Sequence, residues 1–391
     1  MMLPLATETW DEGEVAAIQR VIASKRFTMG PEVRAFEEEI AAFHGVRHAV
    51  MVNSGSSANL LAVAGLVYHP EAPLRRGDTV IVPSVSWSTT YFPVHQYGMK
   101  LRFVDVHPET LNIDPDLVEE AITPDVRGVF AVNLLGNPCD YGKLRPICER
   151  RNLVLLEDNC ESLGARVIGR YAGTFGRCGT LSTFFSHHIS TMEGGVILTD
   201  DTRLYHTLLS LRAHGWVREQ PAESHLALGI DPFIASFRFV LPGYNLRPLE
   251  ISGAVGREQL RKLPHLVAAR RRNAETFVSL LGARTDVRIQ REEGESSWFG
   301  FAMILQGPLA GRRAEVTERL TAAGIESRPI VAGNFAANPV MRYLDHDIPR
   351  PLAVAEEIDR DGFFIGNHHY PIDDSLRRVD EILDEISRRQ I

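Results

Sequence analysis

Two adjacent histidines, His187 and His188, lie between a predicted strand and the string Glu193-Gly194-Gly195. Histidine accepts and returns protons near neutral pH, so either residue is a candidate for acid–base chemistry. Metal binding by both residues is disfavoured, because neighbouring residues on a strand point to opposite faces. The alternative is a buried, hydrogen-bonded structural pair.

Two carboxylates lie at the end of the apolar run NLVLLED. Asp158 stands at the carboxyl end of this predicted buried strand, and Glu161 follows three residues later. Ligands of α/β sheets bind at such strand ends, and a buried carboxylate needs a cation or a hydrogen-bond donor. A protonated pyridine nitrogen is one suitable partner, and a structural salt bridge is the alternative.

Two further segments have the composition of anion sites. The turn NSGSSAN, residues 53–59, opens a predicted helix, where backbone N–H groups, hydroxyls and the helix dipole favour a phosphate. An ordinary serine N-cap is the alternative. In PGYNLRP, residues 242–248, Asn245 and Arg247 could contact an anion, and a plain linker is the alternative.

Composition excludes several classes of protein. The 391-residue chain carries a net charge of −8, which disfavours nucleic-acid binding. No C-x-x-C pair, signal-peptide pattern or long apolar run occurs, so we expect no zinc ribbon, no membrane association and a reducing compartment, the cytoplasm. The charge runs at 37–39 and 270–272 are expected on solvated helix faces.

The elements that position these motifs follow from short apolar runs separated by helix-length segments. They predict buried strands of a mostly parallel sheet, and hence a large α/β domain over residues 1–247. The runs are HAVMV, DTVIVPS, LRFVDV, VRGVFAVNLLG, NLVLLED, TLSTFF and GVILTD. Residues 248–391 predict a small C-terminal α+β domain, with a long amphipathic stretch interrupted at Pro264, the strand WFGFAMIL and two later helices.

The four motifs, in this order and spacing, resemble the sugar aminotransferase family of fold-type I pyridoxal-phosphate (PLP) enzymes. The opening stretch MGPEVRAFEEEIAAFHGVRHAVMVNSGSSANLLAV is also similar to that family. The resemblance covers nearly the whole chain. It implies a fold-type I aminotransferase-like α/β fold, with a large domain around a mostly parallel central sheet and a smaller C-terminal α+β domain.

One position departs from the family pattern. Where the family has its cofactor-binding lysine, this sequence has His187, and none of the four lysines lies in a matching motif. Imidazole moves protons but forms no stable imine. The chain therefore resembles the branch of sugar 3-dehydratases that carry histidine in place of lysine, in which the cofactor rests as pyridoxamine phosphate (PMP).

Two groups of this branch differ in substrate. One acts on CDP-linked sugars with an iron–sulfur cluster on four cysteines, and the spacing of Cys139, Cys148, Cys160 and Cys178 does not resemble that cluster pattern. The other removes the C-3 hydroxyl of GDP-4-keto-6-deoxy-D-mannose on the path to GDP-colitose, with L-glutamate as amino donor. The strings similar to the second group are VPSVSWSTTY, VNLLGNP, LLEDNCES, FSHHISTMEGG, RAHGW, FVLPGYNLRPLE, GESSWFGF and RPIVAGNF.

The resemblance also implies roles for individual residues. His187 is the expected base, and Asp158 holds the ring nitrogen protonated. Asn245 reaches the phosphate from the neighbouring subunit, which implies a homodimer with shared active sites. The resemblance gives Gly55, Ser56 and Ser57 as the phosphate cradle and Ser182 as a further hydroxyl donor. It gives Trp87 as the aromatic that stacks on the ring, for which ordinary core packing is the alternative, and Glu161 as the neighbour of the ring hydroxyl.

Substrate contacts are expected at five positions. Arg218 and Arg247 suit a diphosphate, because guanidinium forks match phosphate oxygens. Glu326 suits the donor edge of guanine, and His214 and His188 are expected near the sugar. A surface or structural role is the alternative for each of them.

Three other functions compete with the dehydratase. They are an aminotransferase with another base, a 3-dehydratase for another nucleotide sugar and a cofactor-binding protein without catalysis. The aminotransferase is disfavoured because none of the four lysines lies in a matching motif. The cofactor-binding protein, as a DNA-binding regulator, is disfavoured by the net negative charge.

Overall fold

Fourteen strands and twelve α-helices form the chain in the computed structural model, which describes residues 3–218 and 220–388. The positions outside the described residues are Met1, Met2, Glu219 and 389–391. They include the outer ends of both predicted domains and of the predicted last helix. The strands are β1 His48–Val52, β2 Thr79–Pro83, β3 Lys100–Val104, β4 Val126–Val132, β5 Val154–Asp158, β6 Arg166–Val167, β7 Arg170–Tyr171, β8 Cys178–Ser182, β9 Gly195–Thr199, β10 Val287–Ile289, β11 Gly300–Leu305, β12 Ser327–Arg328, β13 His346–Asp347 and β14 Gly362–Gly366.

The helices alternate with the strands in the first half of the chain, as the spacing of the apolar runs predicts. They are α1 Glu12–Ser24, α2 Pro31–His44, α3 Gly55–Tyr68, α4 Ser88–Gln96, α5 Pro115–Glu120, α6 Tyr141–Arg151, α7 Thr202–Arg212, α8 Pro232–Ala235, α9 Glu250–Leu281, α10 Arg313–Ala322, α11 Ala353–Asp361 and α12 Asp373–Arg388.

The central sheet has eight strands in the order β1-β9-β8-β5-β4-β2-β3-β13. The pairs from β8 to β13 are parallel, and β9 runs antiparallel to both of its neighbours. The prediction of a mostly parallel α/β sheet is therefore confirmed. Because β5 and β8 are parallel neighbours, the ends of these strands at Asp158 and Ser182 open at the same edge of the sheet.

A second, antiparallel sheet follows in the order β10-β11-β14-β12. Its strands pack with α10 and α12 around a separate apolar cluster that includes Phe277, Trp298 and Phe301. The short strand β13 returns to the central sheet, and Leu3 pairs with Ile325. Both connections cross the predicted boundary at residue 247, which stays a prediction.

The expected interruption at Pro264 is wrong, because α9 runs without a break from Glu250 to Leu281. A proline inside a helix removes one backbone hydrogen bond. Packing offsets this loss: α9 lies along α1 and α2 and contacts α12. At the crossing with α2 a Cβ on Gly253 would lie 2.6 Å from the Cα of Val33, so this close approach requires glycine.

Two residues expected on solvated helix faces are enclosed instead. Glu37 forms an ion pair with Arg212 and accepts the N–H of Met51 at 2.7 Å. Arg270 is buried and donates to the carbonyl oxygens of Phe299 and Asn367 at 3.1 and 2.5 Å. The expectation fails at these positions because each charge finds its partner on an element distant in sequence. Across the described residues, no helix combines the length and apolar character needed to cross a bilayer.

Candidate active site

The N-terminus of α3 presents the predicted phosphate cradle. Ser54 caps this helix by accepting the N–H of Ser57 at 3.0 Å, and Gly55 is its first residue. The hydroxyl of Ser56 is exposed and donates to Thr89 of α4 at 3.3 Å. The serine N-cap offered as an alternative is therefore present, and it also fixes a helix start that favours an anion.

Gly55 and Ser182 lie against each other where α3 meets the end of β8. A Cβ on Gly55 would lie 2.6 Å from the Cβ of Ser182 and 3.1 Å from Sγ of Cys160. Only glycine therefore allows the helix start to approach the strand ends this closely. The structure thus brings the predicted cradle and the predicted hydroxyl donor together.

Asp158 ends β5 as a buried carboxylate, 5% exposed. Its Oδ2 accepts hydrogen bonds from Asn59 at 2.7 Å and from Thr90 at 2.8 Å, and its Oδ1 accepts the N–H of Cys160 at 3.2 Å. No cation of the described chain pairs with this carboxylate. The donors orient Asp158 and leave its negative charge available to a bound cation.

Glu161 accepts the N–H of Leu135 at 3.0 Å. Burial raises the pKa of Glu161 to about 7; the bond from Leu135 opposes this shift, and the nearby charge of Asp158 adds to it. Leu135 is fully buried with a φ of 53°, in the left-handed region that non-glycine residues rarely adopt. A strained turn thus aims a backbone N–H at this carboxylate.

His187 lies in the loop between β8 and β9, half-buried between two aromatic rings. Its ring centroid is 5.2 Å from that of Phe299 and 6.1 Å from that of Phe184. Burial lowers the pKa of His187 to about 4, and the positive charge of Arg270 contributes to this lowering. The imidazole is therefore neutral near pH 7, which is the state that a base requires.

His188 is fully buried, and its Nε2 lies 3.1 Å from the carbonyl oxygen of Ser297. Its predicted substrate contact has no support in this geometry, which matches the structural alternative. Its neighbour His187 is the partly exposed histidine of the pair.

The four lysines lie elsewhere. Lys25 caps the end of α1. The other three form ion pairs outside the site: Lys100 with Asp347, Lys143 with Asp116, and Lys262 with Asp11 and Glu14. A lysine is therefore absent from the position that His187 occupies.

Trp87 immediately precedes α4 and is 58% exposed, so the alternative of an ordinary core tryptophan is wrong. The first turn of α4 carries Thr89 and Thr90, which contact Ser56 and Asp158. An exposed indole beside these residues suits stacking on a flat ring.

Four other predicted residues gather around Trp216. The guanidinium groups of Arg218 and Arg247 lie 5.5 and 5.8 Å from its ring centroid, and the ring of His214 meets it edge-on at 5.1 Å. Asn245 forms an isolated β-bridge with Ala213, the residue before His214, and accepts from Nε of Arg247 at 3.0 Å. Among the described residues neither arginine forms an ion pair, so both remain available to an anion.

Glu326 does not join either group. It is exposed, and its Oε2 accepts the N–H of Leu5 at 3.0 Å. This contact joins it to the N-terminal segment, so its predicted guanine contact stays a prediction.

The residues fit a pyridoxal-type cofactor. A helix start suits its phosphate, the carboxylate of Asp158 suits a protonated ring nitrogen, and exposed Trp87 suits the ring face. Within 3–218 and 220–388, no cluster of His, Cys, Asp or Glu is arranged to hold a metal ion.

Comparison with known proteins agrees with this geometry. The profile of the DegT/DnrJ/EryC1/StrS aminotransferase family matches residues 8–384, and the chain belongs to this family. It is 52% identical over 383 residues to GDP-4-keto-6-deoxy-D-mannose 3-dehydratase of Yersinia pseudotuberculosis. This match covers 97% of this chain and 98% of the relative.

Two solved structures are similar over nearly the full length. One is GDP-4-keto-6-deoxymannose-3-dehydratase with a trapped PLP-glutamate geminal diamine, with a TM-score of 0.95, 48% identity and coverage of 97% of this chain and 100% of that one. The other is a histidine-to-asparagine variant of the same-named enzyme with bound GDP-perosamine, with the same TM-score, identity and coverages.

Sequence reasoning missed four residues of the site. Asn59 and Thr90 hold Asp158, and both stand inside strings that the sequence analysis quoted. Their positions one turn into α3 and α4, facing the sheet, could have identified them. Phe299 and Arg270 adjoin His187 from elements distant in sequence, and no local pattern indicates them.

Proposed function

We propose that this chain is a PLP/PMP-dependent 3-dehydratase that converts GDP-4-keto-6-deoxy-D-mannose to GDP-4-keto-3,6-dideoxy-D-mannose, with L-glutamate as amino donor. The observation that carries the proposal is the imidazole of His187 in the loop after β8, packed against Phe299, in a site that holds none of the four lysines. The similar proteins named GDP-4-keto-6-deoxymannose 3-dehydratase support the cofactor and the substrate class. One solved structure has a PLP-glutamate adduct bound, and another has GDP-perosamine bound.

Pyridoxamine phosphate, when bound, supplies an amine for the C-4 ketone and a ring that takes up electrons. Asp158 would hold the protonated ring nitrogen, because Asn59 and Thr90 orient it and no cation of the described residues pairs with it. Gly55, Ser56, Ser57 and Ser182 would bind the phosphate at the start of α3. Trp87 would stack on the ring, and Glu161 would lie near the ring hydroxyl.

His187 moves the protons. Its Nδ1 is buried without a hydrogen-bond partner among the described residues, which leaves Nε2 as the nitrogen that can face the reacting carbon. Nε2 would remove a proton at that carbon and return it to the C-3 hydroxyl as that group leaves as water. Imidazole has no amine with which to form an imine, so His187 would not hold the cofactor covalently. A similar structure carries substitutions of an adjacent serine and histidine, and Ser186 and His187 form such a pair here.

The stoichiometry follows from these steps. The sugar loses one oxygen at C-3, and its C-4 returns to a ketone as ammonia is released. Glutamate is oxidised to 2-oxoglutarate when it restores the amine of the cofactor. One sugar is therefore deoxygenated for each glutamate consumed, with no net change in water.

The diphosphate is expected at the group around Trp216, where Arg218 and Arg247 have no acidic partner among the described residues and His214 contacts Trp216. Glu326 remains our candidate for the guanine edge. The product fits a pathway of the GDP-colitose type. Four free cysteines are compatible with a reducing compartment, and the cytoplasm is the proposed location.

A homodimer with shared active sites is part of the proposal. The segment 228–239 exposes an unusual set of large apolar side chains: Leu228, Phe233, Ile234, Phe237 and Phe239. Exposed apolar side chains of this kind are typical of a protein interface. Phe239 of this segment pairs with Trp216, which Arg247 and its hydrogen-bonded Asn245 also approach, and this supports a partner contact near the residue expected to reach the neighbouring phosphate.

An aminotransferase is the second candidate, since the family includes such enzymes. The absence of lysine from the described site disfavours it, because no other amine is placed to deliver a proton to C-4. A 3-dehydratase for another nucleotide sugar would differ in its contacts to the base and to the sugar.

Mass spectrometry of GDP-4-keto-6-deoxy-D-mannose incubated with protein, PMP and glutamate tests the proposal. We expect a product that lacks one oxygen, with ammonia and 2-oxoglutarate formed in equal amounts. A product with an amine at C-4 would establish the aminotransferase. If the GDP-sugar is unchanged while a CDP- or dTDP-sugar loses an oxygen, the assigned nucleotide is wrong.

A further inference from the structure

The buried ring nitrogen of His187 poses a chemical problem. A neutral imidazole carries one N–H and one lone pair, and a base needs the lone pair on the nitrogen that faces the substrate. With the lone pair on Nε2, the proton must sit on Nδ1. That atom is buried and has no nitrogen or oxygen partner among the residues that the structure describes. An unsatisfied buried N–H is unfavourable, so the reactive tautomer needs another acceptor.

The ring of Phe299 stands where such an acceptor is needed. Its centroid lies 5.2 Å from that of His187, with 55° between the ring planes. This separation and tilt allow an edge of the imidazole to meet the face of the phenyl ring, which is its electron-rich side. An N–H directed at an aromatic face forms a weak hydrogen bond.

The backbone of Phe299 is held on both sides. Its N–H donates to the carbonyl oxygen of Leu135 at 3.0 Å, and its own carbonyl oxygen accepts from Arg270 at 3.1 Å. Trp298, the preceding residue, has a φ of 48° and is almost fully buried. This fixed backbone places the ring of Phe299, immediately before β11 of the second sheet, beside His187.

We infer that Phe299 is a positioning residue that fixes the tautomer of His187: its phenyl face receives the N–H of Nδ1 and so leaves the lone pair on Nε2. The inference rests on the proposed role of His187 as the base. Phe184 is the other ring neighbour, but it is 40% exposed and 6.1 Å away. Water therefore competes at Phe184 for any N–H, whereas Phe299 is less exposed and lies closer to the ring of His187, whose Nδ1 is buried.

Nitrogen NMR of protein labelled with ¹⁵N-histidine tests the inference on the resting enzyme. The His187 signals are identified by their loss in His187→Asn. We expect Nδ1 to carry the proton in the wild type. In Phe299→Met, which keeps apolar volume but has no aromatic face, the proton is expected to shift towards Nε2. Phe299→Tyr is expected to restore the wild-type pattern, and Phe184→Met, the matched control, to retain it.

Kinetics give a second readout. Phe299→Met is expected to lower kcat by about two- to fivefold with KM unchanged, as the loss of one weak hydrogen bond implies. An Nε2–H tautomer in the wild type, or an unchanged pattern in Phe299→Met, overturns the inference. Because the NMR measurement needs neither sugar nor glutamate, it remains decisive even if the GDP-sugar proves not to be the substrate.

Discussion

The side-chain nitrogen of Asn59 lies 2.7 Å from Oδ2 of Asp158, and the hydroxyl of Thr180 donates to the opposite end of the same amide at 2.6 Å. Thr180 therefore determines which end of the amide faces the carboxylate. Asp158 thus receives a donor whose orientation is fixed. The pair lies between α3 and β5, so one contact joins the phosphate end of the site to its charged end.

Asn59→Asp should weaken cofactor binding at least about tenfold, because it places a second carboxylate against Asp158 in a buried setting, where like charges repel strongly. Titration of the protein with PLP, followed by absorbance, measures the effect. Asn152→Asp makes the same chemical change at an exposed helix end and serves as the control. Equal PLP affinity in Asn59→Asp and Asn152→Asp would exclude a role for Asn59 in holding Asp158.

His187→Lys should change both the bound state of the cofactor and the outcome of the reaction. A lysine at this position can bind PLP covalently, so borohydride reduction should fix the cofactor to the chain, as read by intact mass. Loss of 3-deoxygenation should accompany this gain. His187→Asn, which can neither bind PLP covalently nor act as a base, should lower kcat about 10²–10⁴-fold. Dehydration that persists in both variants would assign the proton transfer to another residue.

Glu161 makes the stability of the apo-protein dependent on pH. Its pKa is raised from 4.5 to about 7, so between these values the folded state holds a proton that the unfolded state has released. The contribution of Glu161 is therefore fully present below pH 4.5 and is lost as the pH rises through about 7.

Glu161→Gln should remove this dependence, since an amide does not ionise. Relative to Glu161→Gln, the wild type should lose up to about 3 kcal/mol of unfolding free energy between pH 4.5 and 7, and little above that. Urea denaturation of both proteins across this pH range gives the difference in unfolding free energy. The contributions of the buried histidines are common to both proteins and cancel in this difference. A constant difference would mean that Glu161 is ionised throughout.

The sequence predicts the part of the site that depends on local pattern. Asp158 and Ser182 end apolar runs that form neighbouring parallel strands, and Gly55 starts a helix after another run, so the sheet alone brings them to one edge. The family resemblance adds what no pattern contains, namely that His187 replaces a lysine.

The rest depends on how distant elements dock. Phe299 reaches His187 only because the second sheet packs against the loop after β8. Arg270 belongs to a run of three arginines that resembles a solvated helix face, and its burial follows from carbonyl oxygens on two later segments. Contacts of this kind leave no local periodicity in the sequence.

Shared active sites can be tested by mixing two impaired variants. If Asn245 acts on the neighbouring site, a dimer of one His187→Asn chain and one Asn245→Ala chain contains one site with both native residues. Random exchange of equal amounts makes half of the dimers mixed, so activity should recover to about a quarter of the wild-type value. Activity is measured as 2-oxoglutarate released after the subunits have been exchanged in mild denaturant.

The recovery depends on which chain supplies each residue, and this is what makes the mixture decisive. If Asn245 served the site of its own chain, every site in a mixed dimer would lack one residue, and the mixture would only match the average of its parents. A mixture of His187→Asn with His187→Gln is the control, because no arrangement of these chains restores the base. Recovery confined to the first mixture would therefore place Asn245 and His187 of one active site on different chains.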